Sequence, residues 1–572
     1  MKVRVPLMIQ DPLTSQYKGM RLVEDFFIDE EPFFLDGPVT KRVAVLDFDA
    51  ETGALRHPAR FMPPTRQRKL GRYKIPEGDV EGYDIRSPEF MQVSAFATVV
   101  RVLYMFEEPD ALGRRIDWAF GAPQLLVVPR AGEWANAYYE RDSHSLQFFH
   151  LTLDGGEPIF TCLSRDIIAH ETGHAILDGI APDLYHAITP QSLALHEALA
   201  DLTALMMAFR SHNLRSTVLD QTGGSIENST AFSSVAEEFG RALDREGRAG
   251  YLRSLCNQRT LDPDDRSLDE NGKANRVPRN EPHALSEVLS GALFKMMVQI
   301  HNTYKQRYME KDGTPDFSAS GKALWVGAEQ FKRMIYRALD YLPPGEVSFA
   351  DYGRAIIAAD QALYPADDEE RVWVKSEFFK RRMVGDPREL DVQTNQSLDA
   401  LREMDLATLV ESDWAAYDFA NRNRKLLRIP EGVPFSVRPR LDVTKVYYGR
   451  DGPRQARECI FKVSWNEEER NNLGHRLPQR RQYTVGTMLA IDWETKVARA
   501  LLTTDRSEQQ TFDRNEMLRK LYDDGLLIEA RDAQGPDGGE TNTGIIAETT
   551  DRLMRLRGTA RMLHIVGEDR YG

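Results

Sequence analysis

Ile167-Ile168-Ala169-His170-Glu171-Thr172-Gly173-His174-Ala175-Ile176-Leu177 is the stretch from which the rest of the chain is read. Its apolar residues predict a buried helix. Residues four apart share a helical face, so His170 and His174 can offer two imidazole nitrogens to one metal ion. Glu171, beside the first histidine, stands where a general base can act on a metal-activated water. About twenty residues on, Ser192-Leu-Ala-Leu-His-Glu-Ala-Leu-Ala-Asp201 predicts a second helix. Glu197 and Asp201 are again four apart, among Leu195, Ala198, Leu202 and Leu205. Burying two unpartnered carboxylates costs several kcal/mol. A metal ion for Glu197 and a ligand histidine N–H for Asp201 offset that cost. The alternative is a solvated acidic face on a surface helix; the upstream HExxH run favours the metal. His170, His174 and Glu197 then make the three protein ligands of a catalytic zinc site, which leaves one position open.

With these motifs the chain resembles the thermolysin family of gluzincin zinc metallopeptidases, which follows HExxH with a Glu on the next helix and an Asp one turn later. The likeness extends to other segments in the same order. Asp178 matches the family's carboxylate that hydrogen-bonds a ligand histidine, and Tyr185 its oxyanion-stabilising tyrosine. Asn136-Ala137-Tyr138-Tyr139 is similar to the edge strand that holds the substrate backbone. Leu252-Arg253-Ser254-Leu255 is similar to the segment whose arginine binds a substrate carbonyl. His283, opening His-Ala-Leu-Ser-Glu-Val-Leu-Ser-Gly, matches the second oxyanion-stabilising residue at a helix start. Ile335–Leu342 and Phe349–Leu363 read like the closing helical pair. The resemblance covers roughly residues 90 to 385. It implies a two-lobed α+β fold with zinc in the cleft, and hydrolysis of internal peptide bonds. Glu171 is then the base, Tyr185 and His283 steady the oxyanion, Asp178 and Asp201 orient ligands, and Asn136, Ala137 and Arg253 hold the peptide.

The chain departs from that pattern at several places. His196 stands where the family has Asn before the third ligand. Arg279-Asn280-Glu281-Pro282 lacks the aspartate that orients the family's helix-start histidine, leaving Glu281 or Asn280 to substitute. The span from Asp201 to Arg253 is long, with a helical insert expected near Ser234–Leu243. Asp166 matches one calcium ligand, but Leu205-Met-Met-Ala-Phe209 stands where another carboxylate belongs. Calcium needs several oxygen ligands together, so no calcium site is expected.

At 572 residues and a net charge of −14, the chain is long enough for three or four domains and too acidic overall for a nucleic-acid binder. No run approaches the ~18 apolar residues of a membrane span, and the start lacks a signal peptide's apolar core. Three widely spaced cysteines imply no disulfide framework. A reducing, cytoplasmic setting is therefore expected. The expected units are a β-rich lead at 1–85 with a strand at Val43–Phe48, a catalytic domain at 86–385, a helical linker at 386–430 and a β-rich α+β accessory module at 431–572. In the last, strands are expected at Phe435–Tyr448, Cys459–Trp465, Arg481–Trp493 and Ala498–Thr504. A helix is expected at Thr511–Ile528 and a glycine-rich loop at Ala533–Gly544. Residues 421–485 carry 15 Lys/Arg against 7 Asp/Glu. That excess is either a solvated basic face or a docking surface for an acidic protein partner, or for nucleic acid. Two other functions stay open: a partner-specific processing protease or toxin guided by this module, and a binding protein that keeps the peptidase fold.

Overall fold

The computed structural model describes residues 2–12, 21–29, 33–152, 156–228, 234–235, 253–269, 272–366, 368–449, 452–471, 473, 477–529, 545–550 and 553–558. Its class is mixed α+β. Val3–Met8 buries nearly every side chain, which an edge or surface strand does not do. It pairs antiparallel with Val23–Ile28 and parallel with Gly71–Tyr73, in a four-stranded sheet. This sheet packs on helix α1 (Pro88–Glu107), whose start is fixed by Pro88 and by Ser87, which accepts from the Phe90 N–H. Val3, Val5 and Leu7 share one core with Phe96 and Val100. The described residues of the expected 1–85 lead thus contribute to the same hydrophobic core as α1.

A second four-stranded sheet runs in the order Val43–Val45, Leu125–Val128, Ser145–Phe148, Ala137–Glu140. The strand expected at Val43–Phe48 is shorter than its apolar run. Ala137–Glu140 is an edge, antiparallel to Ser145–Phe148 on its one paired side. Against the edge strand Ala137–Glu140 packs α2 (Arg165–Ile180), and behind it α3 (Pro190–Arg210), α4 (His212–Thr222), α5 (Pro282–Asp312), α6 (Asp316–Tyr341) and α7 (Phe349–Leu363) pack on one another. The α2 and α3 axes approach closely at Gly173, where an added Cβ would lie 3.1 Å from Ala200 Cα. Both α1 and α3 are long and apolar enough on average to cross a membrane by length and composition, though neither is an uninterrupted apolar run. Both are instead buried core helices. Of the insert expected at 234–243, Ser234–Val235 is a strand paired with Arg253–Ser254, and the rest lies outside the described residues.

Beyond residue 386 the expected linker contains the helices Leu406–Glu411 and Asp413–Arg422. Leu406, Leu409 and Phe419 share a core with Phe461, Val463 and Leu489 of the following sheet. That sheet is built on the long hairpin Gly452–Arg470 with Arg480–Asp492, flanked by Arg440–Gly449 and Ala498–Thr503. Helix Glu508–Asp523 ends earlier than expected, because Gly525 takes a left-handed φ of 71° and Leu527–Glu529 turns into a strand. The loop Ala533–Gly544 lies outside the described residues. A third core joins Met517, Leu518, Leu521, Leu473 and Leu477 to Ile188 and Leu193, at the start of α3.

Much of the basic excess is consumed internally. Arg438 and Arg440 pair with Asp413, Arg457 with Asp442, and Arg480 with Glu468. Lys445 is buried between Asp340 and Glu458, and Arg481 between Glu346 and Glu469. Asp340 and Glu346 lie at and just after the end of α6, far from these residues in the chain.

Candidate metal centre

Ser164 caps α2 by accepting from the Ile167 N–H, and an almost wholly buried helix follows. One turn apart on it, His170 Nε2 and His174 Nε2 lie 3.0 Å from each other. Glu197, two turns into α3, completes a triangle: its Oε2 is 3.5 Å from His170 Nε2 and its Oε1 is 3.5 Å from His174 Nε2. Ligands held at 2.0–2.1 Å in a tetrahedron stand about 3.3 Å apart. The three side chains therefore fit a divalent ion, and His170, His174 and Glu197 can hold one. Burial alone would push the Glu197 carboxyl up, but the imidazoles of His283, His174 and His170 hold it well below the usual carboxylate range. An ionised carboxylate between two imidazoles is the donor set a zinc ion takes.

Behind the ligands, His170 Nδ1 lies 2.9 Å from Asp201 Oδ1, which fixes that ring with Nε2 toward the centre. His174 is oriented differently. Its Nδ1 stands 2.6 Å from His196 Nδ1, with ring planes only 21° apart. Burial pushes His196 down to about 4, so this imidazole is neutral and its Nδ1 can accept from a His174 Nδ1–H. Asp178 was expected beside a ligand histidine and is not there. Its carboxylate is forked by the Arg141 guanidinium, with Nε at 2.8 Å, and accepts from the Tyr139 hydroxyl at 2.7 Å. Arg141 arrives just past the edge strand and takes both oxygens, leaving His196 to meet His174.

Glu171 faces the edge strand, where its Oε2 accepts from the Tyr139 N–H at 3.1 Å. Two residues along, the Arg141 N–H reaches the Tyr185 hydroxyl oxygen at 3.5 Å, and the Arg141 guanidinium lies 4.0 Å over the Tyr185 ring. Tyr185 sits in the turn Pro182–His186. Burial, with Asp178 adding to it, pushes its phenol above the ordinary value, so it stays a donor. His283, at the start of α5, has Nε2 at 3.7 Å from Glu197 Oε2. Its side chain is 22% exposed against 1–5% for the three ligands, so the centre is approached from its side. Glu281 lies 4.0 Å from His283 Nδ1 but spends its other oxygen capping α5 through the Ala284 N–H. Asn136 precedes the edge strand, and its Oδ1 accepts from the Ala137 N–H. Arg253 lies in the short strand Arg253–Ser254; its side chain is outside the described set. Asp166 accepts from Gln10 Nε2 at 3.1 Å.

Two contributors were missed by sequence reasoning. Arg141 carries no motif, and its role depends on a strand meeting a helix far along the chain. His196 was visible as a departure beside Glu197, but spacing does not say which imidazole nitrogen it meets. A second group able to hold a metal, Glu108, Asp110 and Glu329, surrounds the Lys332 ammonium, which lies 3.0 Å from Asp110 and 2.6 Å from Glu329. It is an ion-pair cluster. No family model and no curated protein matches the chain.

Proposed function

We propose that the chain is a zinc-dependent endopeptidase with a thermolysin-like, two-lobed catalytic arrangement. The observation that carries this reading is the buried His170–His174–Glu197 triangle with Glu171 beside it, turned toward the free edge of a β-strand. An extended peptide adds to such an edge through its backbone, with side-chain pockets left to set preference. Asn136 and Ala137 lie at the start of that edge, and the family resemblance gives Arg253 the binding of a substrate carbonyl. When bound, the metal activates a water near neutral pH and polarises the scissile carbonyl. Glu171 takes the proton of the attacking water and passes it to the leaving amine. Tyr185, kept protonated by burial, and His283 donate to the oxygen on which negative charge develops. Asp201 and His196 hold the ligand rings in the tautomer that leaves Nε2 free for the metal.

Glu171→Gln tests the assignment. It is expected to retain full zinc content and to lose cleavage of a peptide library by at least about 10²-fold, the scale of a general base. Equal cleavage by the variant refutes the mechanism. Partner-guided cleavage is less well supported, since Lys445, Lys462 and Arg481 face inward and are buried.

A further inference from the structure

Helix α3 supplies Glu197 and Asp201, yet it does not cap itself. Its N-cap, Thr189, makes no side-chain bond to the helix it opens. Thr189 instead donates its N–H at 3.2 Å, and its hydroxyl, to one oxygen of Glu346. The segment after Glu346 continues across the helix start. The Phe349 N–H donates to Gln191 Oε1 at 2.9 Å, and the Ser192 hydroxyl donates to the Val347 carbonyl at 2.7 Å. A carboxylate at this end also faces the positive pole of the helix.

Glu346 is in turn held from the C-terminal sheet. Its other oxygen accepts from Arg481 at 2.9 Å. Arg481 is 1% exposed and also bonds Glu469 at 2.7 and 3.0 Å. Glu469 meets Arg514, itself 1% exposed, at 2.8 and 3.1 Å. Charges thus alternate Glu346–Arg481–Glu469–Arg514 from the start of α3 into the last helix. Ile188 and Leu193 are sealed against Leu473, Met517, Leu518 and Leu521 beside this chain. Burial alone would raise the Glu346 carboxyl, but Arg481 and Arg514 keep it below the usual range.

We infer that Glu346, clamped by Arg481, is a positioning residue for the third metal ligand, so that the C-terminal sheet completes the metal centre rather than recruiting a partner. Glu197 lies eight residues past Thr189, about 12 Å along one rigid helix. A tilt at the start of α3 is therefore delivered at the ligand, where about 0.5 Å separates productive from unproductive geometry. The inference rests on the metal site and not on the peptidase reading.

The test uses full-length protein and reads zinc affinity by chelator competition, with the visible spectrum of the cobalt-substituted protein. Glu346→Gln keeps the shape of the side chain and removes its charge. It is expected to weaken zinc by roughly tenfold or more, the scale seen when outer partners of a metal site are lost, and to alter the cobalt spectrum. Thr189→Ala, a milder change that folds more readily, is expected to move both readouts the same way by less. Phe419→Ala is the control. Phe419 packs edge-on against Phe461 in the other C-terminal core, remote from α3. It is expected to lower the melting temperature and leave zinc affinity within about twofold. The inference is overturned if Glu346→Gln and Thr189→Ala bind zinc like wild type with an unchanged cobalt spectrum, or if Phe419→Ala weakens zinc equally. Peptide cleavage is not a readout, so failure of the endopeptidase reading leaves this result distinguishable.

Discussion

Lys462 shows what burial does to a single charge. It is 3% exposed on the strand Gly452–Arg470, and its Nζ reaches the Leu339 carbonyl at 3.5 Å. Burial pushes its ammonium down to about 8 from 10.5, with Asp340 and Asp183 opposing the shift. Between those two values the unfolded chain binds the proton more tightly than the folded one, so stability rises with pH across that window. Below pH 8 the buried charge is a standing cost of up to about 3 kcal/mol. Lys462→Met is therefore expected to stabilise the protein at pH 7, with a gain that shrinks toward pH 10. Urea unfolding of both proteins at the two pH values checks this; an equal gain at both pH values would refute the charge argument. The ligand residues were legible because helical spacing decides which side chains share a face. Their supporting partners were not. Asp178 has the right spacing from His174, but Arg141 from another element claims it, and His196 fills the place.

At the scale of elements, α2, α3 and the start of α5 follow from periodicity and caps, and Phe349–Leu363 matches the observed helix end to end. The hairpin strand Gly452–Arg470 does not show its length in its apolar residues alone. Its outer end is charged and is held by cross-strand partners, Glu468 opposite Gln482 and ion-paired to Arg480. Gly173 was legible only as a letter between two ligands. Its reason is the neighbouring helix, since an added Cβ lies 3.1 Å from Ala200 Cα and 3.3 Å from Thr203 Oγ1. Backbone cannot step aside as a flexible side chain can. Gly173→Ala is expected to cost about 1–3 kcal/mol by overpacking and to weaken metal binding, because it separates the two helices that carry the ligands. Denaturant midpoint and zinc affinity, measured together, check it; a stabilised variant would contradict the close approach.

For the whole molecule, hydrophobic cores draw residues from more than one of the expected units. The N-terminal strand Val3–Met8 lies in the core of α1, and the C-terminal helix seals the start of α3. Composition marks where the texture of the sequence changes, but not that Asp340 and Glu346 wait for Lys445 and Arg481. A fragment ending at residue 385 strips Glu346 of Arg481, leaves Asp340 with Arg114 but without Lys445, and exposes Ile188 and Leu193. It is expected to be insoluble or to bind no zinc at stoichiometric concentration, which expression and metal analysis of the fragment will show; a soluble fragment with full zinc content would contradict it. The same arrangement bears on synthesis. Arg481 leaves the ribosome tens of seconds after Glu197, at roughly 5–20 residues per second. A nascent chain therefore carries all three candidate ligands well before the clamp inferred to set them, and a metal centre assembled in that order is not complete until Arg481 has emerged.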